Sequence, residues 1–353
     1  MNINNIEEYV NTIDKYSIYD INWNYLKNKA FLITGATGMI GKCLIDILMN
    51  KNKKEDLNCT IIAVGRNKEK ARERLGMYFD NKNFVFVESD INKSINVELD
   101  NIDYILHAAS STHPLQYSSD PIGTITANVI GLYNLLELAK EKNNKKFVFA
   151  SSAEIYGENR RDVEKFDENY LGYIDCNTLR AGYPESKRVG EALCQAYIKQ
   201  EKLDIVIARL SRIYGPTMLE SDSKASSQFI KNSVNDEDIV LKSEGLQYYS
   251  YSYVFDAVIG VLTCLINGLS GEAYNISDEK FDITLKDFAQ NCADLVNKKV
   301  IFNLPSKEEQ AGFSKATKAI LDSKKISKIG YHTDSTLKQT IEDTIKILKK
   351  AKN

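Results

Sequence analysis

The chain has little of what metal, disulfide and membrane chemistry need. Its six cysteines, Cys43, Cys59, Cys176, Cys194, Cys264 and Cys292, are scattered and form no CxxC pair. In a chain of 353 residues that pattern argues for reduced thiols, not a disulfide frame. Only three histidines occur, His107, His113 and His332. None stands four residues from another or beside paired carboxylates, so no metal site is expected. No apolar run approaches the ~18 residues of a membrane span, and residues 1–20 lack the basic start and apolar centre of a leader. Nor is there an excess of charge of one sign. Lys+Arg 46 against Asp+Glu 48 leaves a net charge of -2, so no global positive field invites nucleic acid or an anionic membrane. These absences point to a cytoplasmic protein.

What remains is ordinary globular composition, 43% hydrophobic and 27% charged. Through the first 210 residues, short β-branched apolar runs alternate with longer amphipathic stretches. Ala30–Thr34, Thr60–Val64, Phe84–Val87, Tyr104–His107, Phe147–Ala150 and Ile205–Arg209 read as strands, with helices near 39–50, 67–80, 122–142 and 184–201. The alternation predicts a parallel sheet with crossover helices, and strands apolar on both faces fit a sheet covered on both sides. After Arg209 the rhythm changes. Helices near 223–234, 256–267, 284–297 and 335–350, with short strands at Ile239–Lys242 and Ala273–Ile276, predict a smaller lobe. The expected fold is α/β, a Rossmann-type doubly wound parallel sheet (29–214) with a smaller C-terminal α/β substrate lobe (215–353), parts of which can rejoin the sheet. Residues 1–28 form an N-terminal extension, one helix plus a Trp23 connector, with no chemistry assigned. The Lys-rich stretches 51–54 and 142–146 read as solvated.

The first strand runs into Thr34-Gly35-Ala36-Thr37-Gly38-Met39-Ile40-Gly41, a glycine-rich turn that opens a helix. Glycine serves the tight turn at Gly35, the approach of backbone N–H groups to a pyrophosphate at Gly38 and close helix–strand packing at Gly41, which is dinucleotide chemistry. At the end of the second strand, where a carboxylate would hold a ribose 2′-hydroxyl, the chain has Val64-Gly65-Arg66-Asn67. No acid stands there. Arg66 suits a 2′-phosphate, so both NAD and NADP remain open, with NADP favoured.

A second constellation begins where the fifth strand ends, Ser151-Ser152-Ala153-Glu154. Side chains at the carboxyl end of a central strand face the ligand crevice of such sheets. Further on, Gly182-Tyr183-Pro184-Glu185-Ser186-Lys187 sets a phenol and an ammonium four residues apart on one helix face. The ammonium is expected to lower the phenol pKa, making Tyr183 a proton acceptor and donor. YxxxK alone is cheap, since Tyr25/Lys29 and Tyr78/Lys82 match it too and read as surface coincidences.

With these motifs in hand, the chain resembles the extended short-chain dehydrogenase/reductases, the nucleotide-sugar epimerase/dehydratase group, over about residues 29–345. Asp90-Ile91 looks like that family's adenine-contacting pair, His107-Ala108-Ala109-Ser110 its cofactor wall and Asn128-Val129-Ile130-Gly131 its next helix motif. Tyr214-Gly215-Pro216, Tyr253-Val254-Phe255-Asp256 and Tyr274-Asn275-Ile276 look like its substrate-lobe markers. The resemblance implies that Gly35, Thr37, Gly38, Met39, Ile40, Gly41, Arg66, Asp90, Ile91, Ala108, Ala109, Ser110, Asn128, Tyr183 and Lys187 hold the cofactor. It implies catalysis by Ser152, Glu154, Tyr183 and Lys187, and substrate contacts from Ser111, Ser152, Arg212 and Tyr249. The implied reaction is oxidation of a nucleotide-activated sugar at C4, followed by epimerisation, dehydration or decarboxylation, in a homodimer built from the helices near 122–142 and 184–201. A one-way NADPH-dependent ketosugar reductase and a non-catalytic dinucleotide-binding regulator are the alternatives. Three departures stand out. Ala153 replaces the aspartate or serine usual before Glu154, Tyr249 replaces an expected diphosphate-binding arginine, and Arg212 stands where asparagine or histidine is common.

Overall fold

The computed structural model describes residues 3–110, 112, 119–303 and 317–352. Strands β1 (Ala30–Thr34), β2 (Thr60–Gly65), β3 (Phe84–Glu88), β4 (Tyr104–His107), β5 (Lys146–Ser152) and β6 (Ile205–Leu210) form a parallel sheet in the order 3-2-1-4-5-6. The alternation of side chains sorts its residues onto two cores. Phe31, Ile33, Ile61, Ala63, Val148 and Val206 face one layer, whereas Leu32, Ile62, Ile105, Phe147 and Ile207 face the other. Both sets are buried, so the central strands are apolar on both faces through their middles.

Helices cover both faces. On one side lies α1 (Glu7–Ser17), α2 (Met39–Glu55) and a later helix, 254–267; on the other lie α4 (Pro121–Glu141) and α5 (Gly182–Glu201), packed against each other. Local chemistry starts these helices: Asp120 accepts the Gly123 N–H with Pro121 in the first turn, and Asn67 accepts from Lys70 to open α3 (Lys68–Leu75). α3 stops at Leu75 and gives way to a 3-10 turn, Gly76–Tyr78, so the expected helix to residue 80 is split. By length and composition α4 could cross a membrane. Yet Leu132, Leu135, Leu136 and Ala139 fill its buried face under α5 and the sheet.

The border drawn at residue 214 is crossed in space. The seventh strand of the main sheet, Ala273–Ile276, pairs in parallel with β6, so Tyr274-Asn275-Ile276 belongs to the sheet and not to a substrate lobe. Asn275 ties it down: its side chain accepts from the Tyr156 hydroxyl at 2.6 Å and donates to the Phe166 and Asp322 carbonyls. A second sheet centres on Tyr248–Tyr253, which pairs with Arg212–Tyr214, Asp282–Thr284 and Lys318–Ala319.

The extension is built in. Tyr16 donates to the buried Asp256 at 2.7 Å, Tyr9 donates to the buried Asp46, and Lys42 bridges Asp46 and Asn4 at 2.9 and 2.7 Å. Asp46 also accepts from Tyr78 at 3.0 Å, so Tyr78 is no surface residue. The Lys-rich stretches are not wholly solvated either. Lys51 is buried with its ammonium 4.8 Å from the Trp23 ring centroid, and buried Lys146 donates to the Gly268 carbonyl at 2.6 Å.

Candidate active site

A cavity of about 970 Å³ opens along the carboxyl ends of the strands, where such sheets bind ligands. Its cofactor side is made by backbone. Gly35 has φ +68°, and a Cβ there would lie 2.7 Å from the Ala108 carbonyl oxygen. A Cβ on Gly41 would fall 2.3 Å from the Gly35 carbonyl oxygen, so helix α2 can come this close to the loop only with glycine. Gly38 caps α2 without a side-chain hydrogen bond, leaving the first-turn N–H groups of Met39, Ile40 and Gly41 at the cavity wall. An anion at this helix start meets those donors and the positive end of the helix dipole. The residues therefore fit the pyrophosphate of a dinucleotide.

The remaining cofactor candidates sort by position. Thr37, Arg66, Asp90, Ile91, Ala108, Ala109 and Ser110 line the same cavity. Asp90 and Ile91 are held from behind, since Asn134 donates to the Ile91 carbonyl at 2.8 Å and a Cβ on Gly131 would strike the Ile91 side chain at 2.6 Å. Asn128 does not reach the cavity. It is wholly buried and donates to the Ser186 hydroxyl at 2.9 Å, joining α4 to α5. His107 likewise serves structure: Nδ1 shares a 2.9 Å hydrogen bond with Thr34, and burial, then Lys187, push its pKa well below the ordinary value. Lys70, one turn beyond Arg66, also lines the wall, a basic neighbour the sequence reading missed.

The reacting side comes from β5 and α5. Ser152, at the end of β5, accepts the Glu154 N–H at 3.2 Å, and Tyr183, Ser152 and Ser110 line the cavity together, the two serine hydroxyls favouring the phenolate. Lys187 is buried behind Tyr183, with its ammonium 5.9 Å from the ring centroid and donating to the Ala150 carbonyl at 2.8 Å. The expected lowering of the phenol pKa is overturned. Burial pushes Tyr183 up and the Glu154 carboxylate adds to that, outweighing its hydrogen bonds with Ser152 and Ser110 and the Arg180 charge. Burial acts on Lys187 as well, lowering its pKa to about 7. Glu154 reaches the cavity but is gripped by Arg180, whose Nη2 lies 2.8 Å from both carboxylate oxygens. Arg180 was not anticipated, although it stands three residues before Tyr183 in the turn that leads into α5.

On the far wall, Arg212 faces the cavity with its guanidinium 3.8 Å from the centroid of the Tyr249 ring. Pairing of Arg212–Tyr214 with Tyr251–Tyr253 brings the two together, and Tyr249 itself is buried beneath the arginine. Lys224, paired with Asp222 at 3.1 Å, completes this end. Ser111 lies outside the described residues.

The family model described as NAD dependent epimerase/dehydratase matches residues 31–277. Over 287 residues the chain is 30% identical to UDP-glucuronic acid decarboxylase 3 of Arabidopsis thaliana, covering 80% of each. UDP-glucuronic acid 4-epimerase from Bacillus cereus, solved with UDP-glucuronic acid and NAD, matches at a TM-score of 0.77 and 23% identity, covering 91% of this chain and 99% of that one. dTDP-glucose 4,6-dehydratase from Bacillus anthracis, solved with NAD, matches at 0.75 and 21% identity over 91% and 97%. At such identities these two structures establish the shared fold.

Proposed function

The chain belongs to the NAD dependent epimerase/dehydratase family, and we propose that it is an NAD(P)-dependent enzyme that oxidises a nucleotide-activated sugar at C4 and then completes an epimerisation, dehydration or decarboxylation. One observation carries the reading: Ser152, Tyr183 and Glu154 line the same cavity as the glycine-rich pyrophosphate cradle, with Lys187 packed behind the phenol ring. The relatives, named for a decarboxylase, an epimerase and a dehydratase of nucleotide sugars, support the substrate class.

The chain's own residues divide the work. Gly35, Gly38 and Gly41 admit the pyrophosphate, Ser152 orients the sugar hydroxyl, and the Tyr183 oxygen takes its proton as the carbon gives up hydride. When bound, NAD(P) supplies the hydride acceptor and, in its oxidised ring, a positive charge that favours the phenolate. Lys187 fixes the phenol from behind. Arg212, spread on Tyr249, takes the diphosphate charge that the family pattern assigns to an arginine at 249. Ala153 leaves no acid beside Glu154 for expelling a hydroxyl, which favours epimerisation or decarboxylation over dehydration.

Arg66 and Lys70 at the adenosine end support NADP, and with it the second reading of an NADPH-dependent ketosugar reductase. A homodimer is part of the proposal. Leu132, Leu135 and Leu136 are buried against the sheet, while Ile122, Ile125, Ile130 and Tyr133 of α4 and Val189 of α5 remain exposed for a second copy. We also place the enzyme in the cytoplasm, in keeping with its free thiols. The test is to denature the purified protein, identify the released dinucleotide, and screen UDP-, dTDP-, GDP- and CDP-sugars by mass spectrometry. Loss of carbon dioxide marks a decarboxylase, loss of water a dehydratase and an isobaric change an epimerase; no conversion of any nucleotide sugar would overturn the reading.

A further inference from the structure

A carboxylate beside a phenol that must become an anion is an electrostatic conflict. Glu154 and Tyr183 stand in that relation: both line the same cavity together with Arg180, and the Glu154 charge disfavours the Tyr183 phenolate. They come from different elements, the turn after β5 and the start of α5, so nothing in the local chain ties one to the other. Arg180 joins them. Its Nη2 contacts both Glu154 oxygens at 2.8 Å, and its backbone lies in the turn running directly into the helix that carries Tyr183. The pair is about a quarter to a third exposed, at 32% and 25%, whereas the Tyr183 ring is buried, so these charges act on the phenol from the cavity wall.

We propose that Arg180 is a positioning residue whose guanidinium balances the Glu154 carboxylate, so that a carboxylate and a proton-accepting phenol can occupy one site. This rests on the reading of Tyr183 as the group that receives the sugar hydroxyl proton. In that step the sugar O–H and C–H bonds break and a Tyr183 O–H bond and a C=O bond form, with the hydride passing to NAD(P). Among the described residues, Lys187 projects from the same helix, the Ser152 and Ser110 hydroxyls favour the phenolate, and burial pushes the His107 pKa well down. Arg180 thus supplies the positive charge that answers Glu154 directly.

The arrangement predicts reversal on double substitution, which loss of a merely structural contact would not give. A multiply fluorinated tyrosine at position 183, a stronger acid than tyrosine, is titrated by fluorine NMR in the NAD-loaded enzyme. Arg180→Met should move the midpoint up by about one pH unit, a tenfold change in phenolate, and Arg180→Met/Glu154→Gln should bring it back down. Arg180→Lys should stay near the parent. In parallel, sugar-dependent reduction of the cofactor, read by absorbance, should fall about tenfold in Arg180→Met and be partly regained in the double variant. An unmoved midpoint in Arg180→Met, or a double variant titrating no lower than the single one, overturns the proposal. The titration needs no sugar, so a chain that reduces no cofactor with any nucleotide sugar would sink the assigned function while the NMR result still decides the role of Arg180.

Discussion

The two ends of the cavity are built by different means. At the cofactor end, the wall is backbone: one turn between β1 and α2, in which Gly35 meets Ala108 and Gly41 meets Gly35 at distances that no side chain tolerates. At the sugar end the wall is side chains brought from far apart in the chain, Glu154 to Arg180 and Arg212 to Tyr249. A backbone cradle recognises a pyrophosphate through N–H groups that every non-proline residue supplies, so its chemistry depends on glycine only for space. A wall of paired side chains can be exchanged one pair at a time, so under the proposed function this is the wall where selectivity for the sugar is set.

The sharpest way to separate the two ends is to remove one oxygen from the reacting side. Tyr183→Phe keeps the buried ring and deletes the group that meets Ser152 and Ser110, so turnover should fall by at least the ~10²–10⁴ of a lost general base, with cofactor affinity unchanged. Retention of more than about a tenth of the activity would remove Tyr183 from its role. The next effect is on stability. The Lys187 pKa, lowered to about 7 by burial, lies below the ordinary 10.5 of the unfolded chain. Between those values the unfolded chain binds a proton the folded one lacks, so stability is full above about pH 10.5 and declines as the pH falls through 7. Denaturant unfolding across this window should show a slope on the order of a few kcal/mol in total, flattened in Lys187→Met. An equal slope in the variant would assign it to other groups.

Legibility followed the same division. The strands of the main sheet, the glycine turn and the Tyr183–Lys187 pair were readable because each is local: a short β-branched apolar run, a loop of eight residues, a spacing of four. The seventh strand was legible as a strand at Ala273–Ile276, but its seat beside β6 was not, because that pairing is tertiary and its Asn275 acts as a buried tie. The helix–helix link that Asn128 makes to Ser186 at 2.9 Å is tertiary too, so its sequence position does not show it. The Tyr183 pKa went the other way because spacing reports the ammonium four residues on but not the burial or the Glu154 charge. Arg180 was within reach, three residues before Tyr183, but only the fold shows the carboxylate it holds. Tyr248–Tyr253 hid as a strand since its Tyr/Ser alternation looks half polar; both faces are buried, with Ser250 donating to Asp282 at 2.5 Å and Ser252 sharing a hydrogen bond with Ser211 at 2.6 Å.

A steric substitution attacks the cofactor end. In Gly41→Ala the new Cβ would sit 2.3 Å from a backbone oxygen, and neither the β1–α2 turn nor the helix can yield without moving the first-turn N–H groups. A cost of about 1–3 kcal/mol is expected, read as a lower melting temperature and as weaker NAD(P) binding by calorimetry. Unchanged cofactor affinity would mean that the helix start is not the pyrophosphate site.

The smallest and most discriminating effects come from exchanging one arginine at each end. Arg212→Ala removes a cation on the sugar side and should weaken nucleoside diphosphate binding by about 1.5–3 kcal/mol, the worth of a hydrogen bond to a charged group, without touching either dinucleotide. Arg66 is exposed at the end of β2, so solvent screens its contact and the lower end of that range applies. Arg66→Ala should therefore weaken NADP by roughly tenfold and leave NAD and the nucleoside diphosphate nearly unchanged. Gly65 leaves room for the extra phosphate, and Lys70 on the same wall preserves part of the attraction, so Arg66→Ala/Lys70→Ala should lose more NADP affinity than either single variant. If Arg66 instead stacks on adenine, NAD and NADP weaken together. Titrating the parent and each variant with both dinucleotides separates these cases, and a parent that prefers NAD with no selective loss on substitution would exclude a 2′-phosphate site at this end of the cavity.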